Sequence, residues 1–502
     1  MAFTAESTRI VGCIGPTSLT EACAAAAFAR DLEVVEIRLD ALRAPVDPAA
    51  LRACFEGKRL VATLRSAAEG GAFRGRAGAE RPLLTAALEA GFDLVDVEYR
   101  AGENAGLMGF PPSKVILSVH DHHGLPPDLQ GLAARMSATG ARFVKIAGTA
   151  NDSTDAIRLL EAQASMSGGN VSLLGMGEAG IATRVLAPYL GAPLAYAALL
   201  PGHGTAPGQL SAGDLAEVYG VGRPRSAERL FVLLGGRSSY SLSPALHNAN
   251  FEAAGIHALY VPFALRSLAR ELRALRDGLS RLGLPLAGAS VTIPFKEEAA
   301  EFAGAPEPVN TLLFREDGGV SSANTDREAL EERVPSASPG EKALLIGAGG
   351  TARTAAGVLK GKGYEVLVSA RDAEKGAAFA ARTGTSLTSG HLQQIVLRVL
   401  VNATPLGLSA EDPLPVDDTV LGPGLLVVDA PYREGGTALV RAARAAGAEV
   451  VDGFTLLLAQ AAGQAALFTG RSVSAADLVG RLPVRLRGPF DSGAPLPTGA
   501  PR

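Results

Sequence analysis

Apolar residues over the first 200 positions come in short continuous runs: RIVGCIG at 9–15, VVEIRLD at 34–40, LVATLR at 60–65 and LVDVEY at 94–99, then KVILSVH at 114–120, FVKIAG at 143–148, VSLLGMG at 171–177 and LAYAAL at 194–199. Runs of this kind, β-branched and apolar at consecutive positions, mark strands buried on both faces. Alanine-rich stretches with helical spacing, such as 18–30 and 81–90, separate most of them. Eight strand–helix units in this span predict an N-terminal (β/α)8 barrel at the low end of that fold's size.

The polar stretch VGRPRSAER at 221–229 reads as a linker, after which the pattern changes. FVLLGG (231–236) and ALYVPF (258–263) predict strands, 243–254 a capped helix and 265–282 a basic amphipathic helix. GASVTIPFK (288–296) reads as a strand and turn. From Lys342, KALLIGAGGTARTAAGVLKGKGYEVLVSAR is strand, glycine turn, helix, strand. The organisation read from this is α/β throughout. A barrel covers 1–222, an α/β substrate domain 228–326 completed by 455–487, and a Rossmann-like domain 327–454. A Pro/Gly-rich tail at 488–502 is expected to be disordered.

Composition narrows the partners. At 502 residues, 47% hydrophobic and 20% charged, the chain is not disordered and needs more than one core. A net charge of −4 without a basic block argues against nucleic acid and anionic membrane. No apolar run has the length of a membrane span, and MAFTAESTRIVG lacks the basic start and apolar stretch of a signal peptide. Cys13, Cys23 and Cys54 are an odd count without metal-ligand spacing, which fits a reducing cytoplasm. Only eight of the 47 basic residues are lysines, so a lysine inside an apolar strand stands out.

Barrel enzymes carry their chemistry at the C-terminal ends of the strands, and polar residues collect there in this chain. Glu36 and Arg38 lie on the second strand, Arg65 ends the third and is followed by Glu69, and Asp96 and Glu98 lie on the fourth. His120-Asp121 ends the fifth, Lys145 lies on the sixth, Arg184 follows the seventh, and Thr205 and Gln209 follow the eighth. A lysine on an inner strand loses hydration of its ammonium, which favours an amine that attacks carbonyl carbon. A neighbouring histidine moves protons near neutral pH. Arginines suit a carboxylate. The residues alone point to Schiff-base chemistry on a small anionic carbonyl compound, as in an aldolase or dehydratase. The alternatives are Lys145 as a structural partner of Glu98 or Asp96, and the His120–His123 run as metal ligands, for which the later strand ends offer no histidine.

EIRLD (36–40), TLRSAAEGG (63–71), SVHD (118–121), KIA (145–147), MGEAGIATR (176–184) and TAPGQ (205–209) together resemble type I 3-dehydroquinate dehydratase, in order, over about residues 8–220. The resemblance implies a lysine Schiff base between Lys145 and the C3 ketone of 3-dehydroquinate. His120 would remove the C2 proton and protonate the leaving C1 hydroxyl, with Glu69 supporting it. Arg184 would clamp the carboxylate with Gln209 and Thr205, and Glu36, Arg38 and Arg65 would hold ring hydroxyls. His122 stands where that family often has an aromatic residue, and Thr205 where serine is common.

In the C-terminal half, GAGGTA (347–352) lies between a strand and a helix, where glycines let backbone approach a pyrophosphate. Arg371 ends the next strand, a position where arginine favours the 2′-phosphate of NADP, with Asp372 expected to turn outward and cap the next helix. SLSP (241–244) opens a helix with hydroxyls, and Lys296 and Asp326 stand where a pair can pass a proton during hydride transfer. An ordinary helix cap and a surface ion pair are the plainer alternatives. SLSPALHN, SVTIPFK, VNT (309–311), ANTD (323–326), GAGGTAR, NATPLG (402–407), DAPY (429–432) and DGFTLLLAQ (452–460) resemble shikimate dehydrogenase over about residues 230–485. By that resemblance Lys296 and Asp326 are catalytic, and Ser241, Ser243, Thr292, Asn310, Tyr432 and Gln460 contact substrate. Gly347, Gly349, Gly350, Thr351, Ala352, Arg371, Ala403 and Gly453 hold NADP(H). Ser290 replaces the usual asparagine, and Ala370-Arg371-Asp372 an often-seen Asn-Arg-Thr.

The product of the first implied reaction, 3-dehydroshikimate, is the substrate of the second. The expectation is therefore a two-activity, cytoplasmic enzyme of the shikimate pathway, acting on small molecules with NADPH and no metal. A second half acting on quinate, or a non-catalytic binding homologue, are the alternatives.

Overall fold

The computed structural model describes residues 3–76, 78–100, 107–236, 241–388 and 395–488. The bulk of the tail expected to be disordered, 489–502, lies outside the described residues. Eight parallel strands form the barrel: β1 (Arg9–Ile14), β2 (Val34–Arg38), β3 (Arg59–Thr63), β4 (Leu94–Glu98), β5 (Val115–Asp121), β6 (Phe143–Thr149), β7 (Val171–Met176) and β8 (Leu194–Ala198). They are paired in chain order from β1 to β7, with β8 beside β1. At the seam between β7 and β8, the Leu194 N–H donates to Ser172 Oγ at 3.1 Å.

The two-residue strand period explains the continuous apolar runs. Val35, Ile37, Leu60, Ala62, Val95, Val97, Leu117 and Ile146 point outward into the layer shared with the helices. Val11, Val34, Val61, Ile116 and Leu194 point inward and fill the lower barrel. The next inward positions toward the strand ends are Cys13, Glu36, Asp96, Ser118, Lys145 and Tyr196, all buried. Helices of the outer ring start on side-chain caps: Asp47 accepts from the Ala49 N–H ahead of Pro48, and Asp152 from those of Thr154 and Asp155. Helices Leu19–Ala25 and Pro48–Cys54 lie side by side and carry a Cys23–Cys54 disulfide, Cα–Cα 4.7 Å. The odd cysteine count thus hides one bonded pair and one buried thiol, Cys13, and the pair lends no support to a reducing compartment.

By Cα proximity the chain forms two compact units. One is Met1–Leu233 with Arg237–Pro244 and His257–Leu286, and the other Leu234–Gly236 with Ala245–Ile256 and Ala287–Arg502. In the first, the stretch read as a linker holds a short strand, Ser226–Ala227, paired antiparallel with Phe3–Thr4. Also in the first, helix Leu268–Arg281 lies against helix Ser153–Ser165. Glu271 accepts from the Ser153 N–H and Oγ at 3.1 and 2.6 Å, and Arg281 pairs with Glu161 at 2.7 Å. Gly278 permits this approach, since a Cβ there would stand 2.6 Å from Ile157 Cγ2.

In the second unit, Gly288–Ser290 pair antiparallel with strand Thr311–Phe314, which pairs antiparallel in turn with Val320–Ala323. The second unit also holds a six-stranded parallel sheet. Its order is Ser386–Leu387, Glu365–Ser369, Lys342–Ile346, Leu397–Asn402, Leu426–Asp429, Glu449–Val451. This is the doubly wound order, with its switch point beside Lys342–Ile346. No helix among the described residues is long and apolar enough to cross a membrane.

Candidate active sites

The nine barrel residues to which the resemblance gives a role line one cavity: Glu36, Arg38, Arg65, Glu69, His120, Lys145, Arg184, Thr205 and Gln209. Lys145 Nζ stands 3.5 Å from Glu36 Oε2, 3.9 Å from Asp96 Oδ2 and 3.9 Å from the centroid of the Tyr196 ring. Two carboxylates and a π face, each attractive to a cation, thus surround the Lys145 side-chain nitrogen. Arg65 is locked in place by Asp96 at 2.8 Å, Glu69 at 3.0 Å, Glu98 at 3.2 Å and Ser118 Oγ at 3.1 Å. Arg38 makes a two-pronged contact with Asp40 at 2.7 and 2.8 Å, and Asp40 also accepts from the Arg65 and Ala72 N–H groups.

His120 Nδ1 lies 3.0 Å from Glu69 Oε2, which also accepts the His120 backbone N–H at 3.1 Å. Burial, with Glu98 and Asp96 nearby and despite Arg65, pushes Glu69 up to about 8. Burial and the Arg65 and Lys145 charges hold His120 well below its ordinary range. The pair thus favours sharing one proton over separating into carboxylate and imidazolium. His122 takes a different place, its Nε2 3.0 Å from the Glu69 carbonyl, and Gly70 leaves it room: a Cβ there would meet the ring at 2.3 Å.

Arg184 is 5% exposed, and its Nε has no hydrogen-bond partner among the described residues. Its Nη2 donates to the Pro207 carbonyl at 3.5 Å. Burial pulls it down to about 10. A buried, underused guanidinium costs stability unless an anion meets it. Beside it, Gln209 Oε1 accepts from the Thr205 N–H at 2.7 Å and from its Oγ1 at 3.2 Å.

In the second unit, Lys296 opens helix Lys296–Ala303 and donates from Nζ to Asp326 and, at 3.2 Å, to Thr351 Oγ1. Asn310 donates to Thr325 Oγ1 at 2.9 Å and to Gln460 Oε1 at 3.3 Å. Ser290 donates to Gln464 Oε1 at 2.8 Å, and Gln464 donates in turn to the Asn310 carbonyl and Thr311 Oγ1. The serine that replaces asparagine is thus tied to a glutamine one helical turn beyond Gln460. Thr292 follows strand Leu286–Val291, and its N–H donates to the Leu234 carbonyl at 2.9 Å. The Tyr432 and Phe454 rings are 5.2 Å apart. Ser241 and Ser243, in the first unit, stand at the start of helix Ser243–Ala253, the Ser243 N–H donating to Ser241 Oγ at 3.2 Å.

Helix Gly350–Gly361 begins behind Gly349 without a side-chain cap, so its first N–H groups are open. Gly349 is exposed, and a Cβ there would meet nothing within 4 Å. Gly347 adopts φ +117, where a Cβ would come within 3.2 Å of the Ala403 carbonyl. An uncapped helix start with bare backbone in front of it fits the pyrophosphate of a dinucleotide. Thr351 and Ala352 lie in the first turn, and Gly453 is held against the Pro431 carbonyl, 2.3 Å from where a Cβ would lie. Arg371 is exposed just past strand Glu365–Ser369. Asp372 caps helix Ala373–Thr383 by accepting from the Lys375 N–H, as expected. Among the described residues no cluster of histidine, cysteine and carboxylates has the arrangement of a metal site.

Asp40, Tyr196 and Gln464 were not singled out from the sequence. Gln464 falls four residues after Gln460, a spacing that puts both on one helix face.

Residues 13–223 match the family model for type I 3-dehydroquinase, and residues 233–310 that for the shikimate dehydrogenase substrate binding domain. The chain is 31% identical over 477 residues to a bifunctional 3-dehydroquinate dehydratase/shikimate dehydrogenase of Arabidopsis thaliana, described as chloroplastic, covering 87% of this chain and 78% of that one. It is 38% identical over 262 residues to a shikimate dehydrogenase (NADP(+)) of Rubrobacter xylanophilus, covering 47% of this chain and 89% of that one. A crystal structure of shikimate dehydrogenase from Aquifex aeolicus matches with TM-score 0.44 and 29% identity, over 50% of this chain and 97% of that one.

Proposed function

The chain belongs to the family of bifunctional 3-dehydroquinate dehydratase/shikimate dehydrogenases, and from that premise we propose how its own residues divide the work. It is an enzyme with two activities, the dehydration of 3-dehydroquinate and the NADP-dependent reduction of the product to shikimate. In the barrel, Lys145 Nζ attacks the C3 carbonyl, and water leaves as the iminium forms. The iminium withdraws electrons from C2, whose proton passes to His120 Nε2 while Glu69 steadies the ring through Nδ1. His120 returns that proton to the C1 hydroxyl, which departs as water, and a second water releases the enone from Lys145. Arg184, Gln209 and Thr205 hold the substrate carboxylate, and Glu36, Arg38 and Arg65 face the ring hydroxyls.

In the dehydrogenase half, Lys296 and Asp326 form the proton relay to the carbonyl oxygen, through Nζ. Asn310, Gln460, Thr292, Tyr432, Ser241 and Ser243 orient the substrate. Gly347, Gly349, Gly350, Thr351, Ala352, Ala403 and Gly453 would cradle NADPH, which supplies the hydride when bound, and Arg371 would read its 2′-phosphate.

The observation that carries the barrel assignment is the buried Arg184 with a free Nε, lining the same cavity as Lys145 and the His120–Glu69 pair. Borohydride added with 3-dehydroquinate tests it. The expected result is loss of dehydratase activity with a reduced adduct located on Lys145 by mass spectrometry; an adduct on another residue would reject the Schiff-base assignment. Supplying 3-dehydroquinate with NADPH should yield shikimate.

A further inference from the structure

Beyond the two reactions, we propose that the N-terminal end of the barrel is a second small-molecule site, built for a carboxylate carried on an apolar ring. A cavity of about 240 Å³ opens there, at the end of the strands opposite the catalytic groups. It is larger than the roughly 40 Å³ left between the catalytic side chains themselves. Its floor is the lowest inward layer of the barrel: Val11, Val34, Val61, Ile116 and Leu194.

The rim is cationic. Arg9, Arg59, Lys114 and Arg142 line it, against the single carboxylate of Asp93. Asp93 already accepts the Leu60 N–H at 2.9 Å. Arg9 and Arg59 share Glu33 at 3.2 and 3.3 Å, while Lys114 and Arg142 have no carboxylate partner among the described residues. Arg142 lies over the Phe143 ring, 5.3 Å from its centroid, so one cation already stands beside an aromatic face.

Each feature selects part of the ligand. Four cations against the carboxylates of Glu33 and Asp93 leave the opening with an excess of positive charge, centred on Lys114 and Arg142, which an anion relieves. An apolar floor gains nothing from a bare inorganic anion but favours a ring that displaces water. A carboxylate on a ring satisfies both, with its charge at the mouth and its body on the valines. The floor also lies one strand period, about 6.6 Å, beneath the catalytic layer. Val34 precedes Glu36 by two residues, Phe143 precedes Lys145 and Leu194 precedes Tyr196, all inward-facing. The two ligands therefore occupy opposite ends of the same packed column without sharing a residue.

Titration calorimetry on the full chain tests this, with benzoate as the probe, benzyl alcohol as its neutral counterpart and inorganic phosphate as the bare anion. Saturable binding of benzoate is expected, unaffected by saturating shikimate or 3-dehydroquinate, with benzyl alcohol weaker by about tenfold or more. Lys114→Glu combined with Arg142→Glu should abolish benzoate binding while dehydratase turnover and Tm stay as in the parent. Lys114→Glu alone, an exposed change, should weaken it. Three outcomes would overturn the site: phosphate binding as tightly as benzoate, displacement of benzoate by 3-dehydroquinate, or full benzoate binding by the charge-reversed chain.

Discussion

Lys145 and Lys296 are both nearly buried, but they are held differently. Lys145 Nζ keeps 3.5 and 3.9 Å from its two carboxylates and rests on an aromatic face, whereas Lys296 Nζ donates directly to Asp326 and to Thr351 at 3.2 Å. A nucleophile must turn its lone pair toward a carbonyl, so loose neighbours that attract charge without saturating its hydrogen-bonding directions suit it. A proton relay needs the reverse, a short bond to the next group in line. The scaffolds differ in the same sense. Lys145 projects from mid-strand into the interior of the eight-stranded barrel. Lys296 is the first residue of a helix, and Thr351 lies in the first turn of another.

The largest expected effects come from exchanging the two lysines for alanine. Lys145→Ala should lower dehydratase kcat by roughly 10⁴-fold or more, since no second nucleophile replaces the covalent step. Shikimate oxidation with NADP should stay within about twofold, because the residues of the two sites do not overlap. Lys296→Ala should do the converse, with a loss of roughly 10²–10⁴ in the dehydrogenase, the range for a removed proton-transfer group. Assays of both activities on both variants form a two-by-two table, and loss of both activities from either change would break the comparison.

Two arginines sharpen it at the level of binding. Arg184 is buried with an unused N–H, so Arg184→Ala should raise KM for 3-dehydroquinate by roughly ten- to a hundredfold, the strength of a charge-assisted hydrogen bond. Arg371 is exposed, and water screens whatever it holds. Arg371→Ala should therefore raise KM for NADPH by about tenfold or less, and KM for NADH hardly at all. Equal losses with both cofactors would remove Arg371 from the 2′-phosphate.

Much of this was legible in the chain, and the limits have physical causes. The eight strand runs and the strand-end polar residues could be found because parallel strands are apolar on two faces and a barrel gathers its chemistry at one end. Tyr196 was not, because it is an apolar-looking member of LAYAAL. Whether it points inward depends on its register with Val11, a long-range pairing. Asp40 sits in EIRLD, two residues from Arg38, but its part in locking both Arg38 and Arg65 arises only when two strands meet. The Cys23–Cys54 bond likewise depends on two helices becoming neighbours across 31 residues. The polar stretch at 221–229 has linker composition, yet its backbone finds partners in Phe3–Thr4, at the far end of the sequence.

The smallest effect expected concerns the Glu69–His120 pair, and it is one of stability. Burial pushes Glu69 up to about 8, whereas an unfolded glutamate ionises near about 4.3. Between those values the folded chain keeps a proton that the unfolded chain releases, so stability falls as pH rises through that window and levels off above it. His120 acts in the opposite sense. Held well below its ordinary range, it lowers stability only as pH falls below about 6.5, where the unfolded imidazole gains a proton that the folded one refuses. From pH 6.5 to 8 the slope due to this pair therefore belongs to Glu69 alone. Glu69→Gln cannot titrate. The Tm of the parent should accordingly fall relative to the variant over that interval, whatever constant offset the lost contacts to Arg65 and His120 add. Paired thermal melts in steps of pH read this difference directly. A constant gap would mean that the carboxyl is ionised throughout, and His120 would then be oriented by a full charge, as Lys296 is by Asp326, rather than by a shared proton.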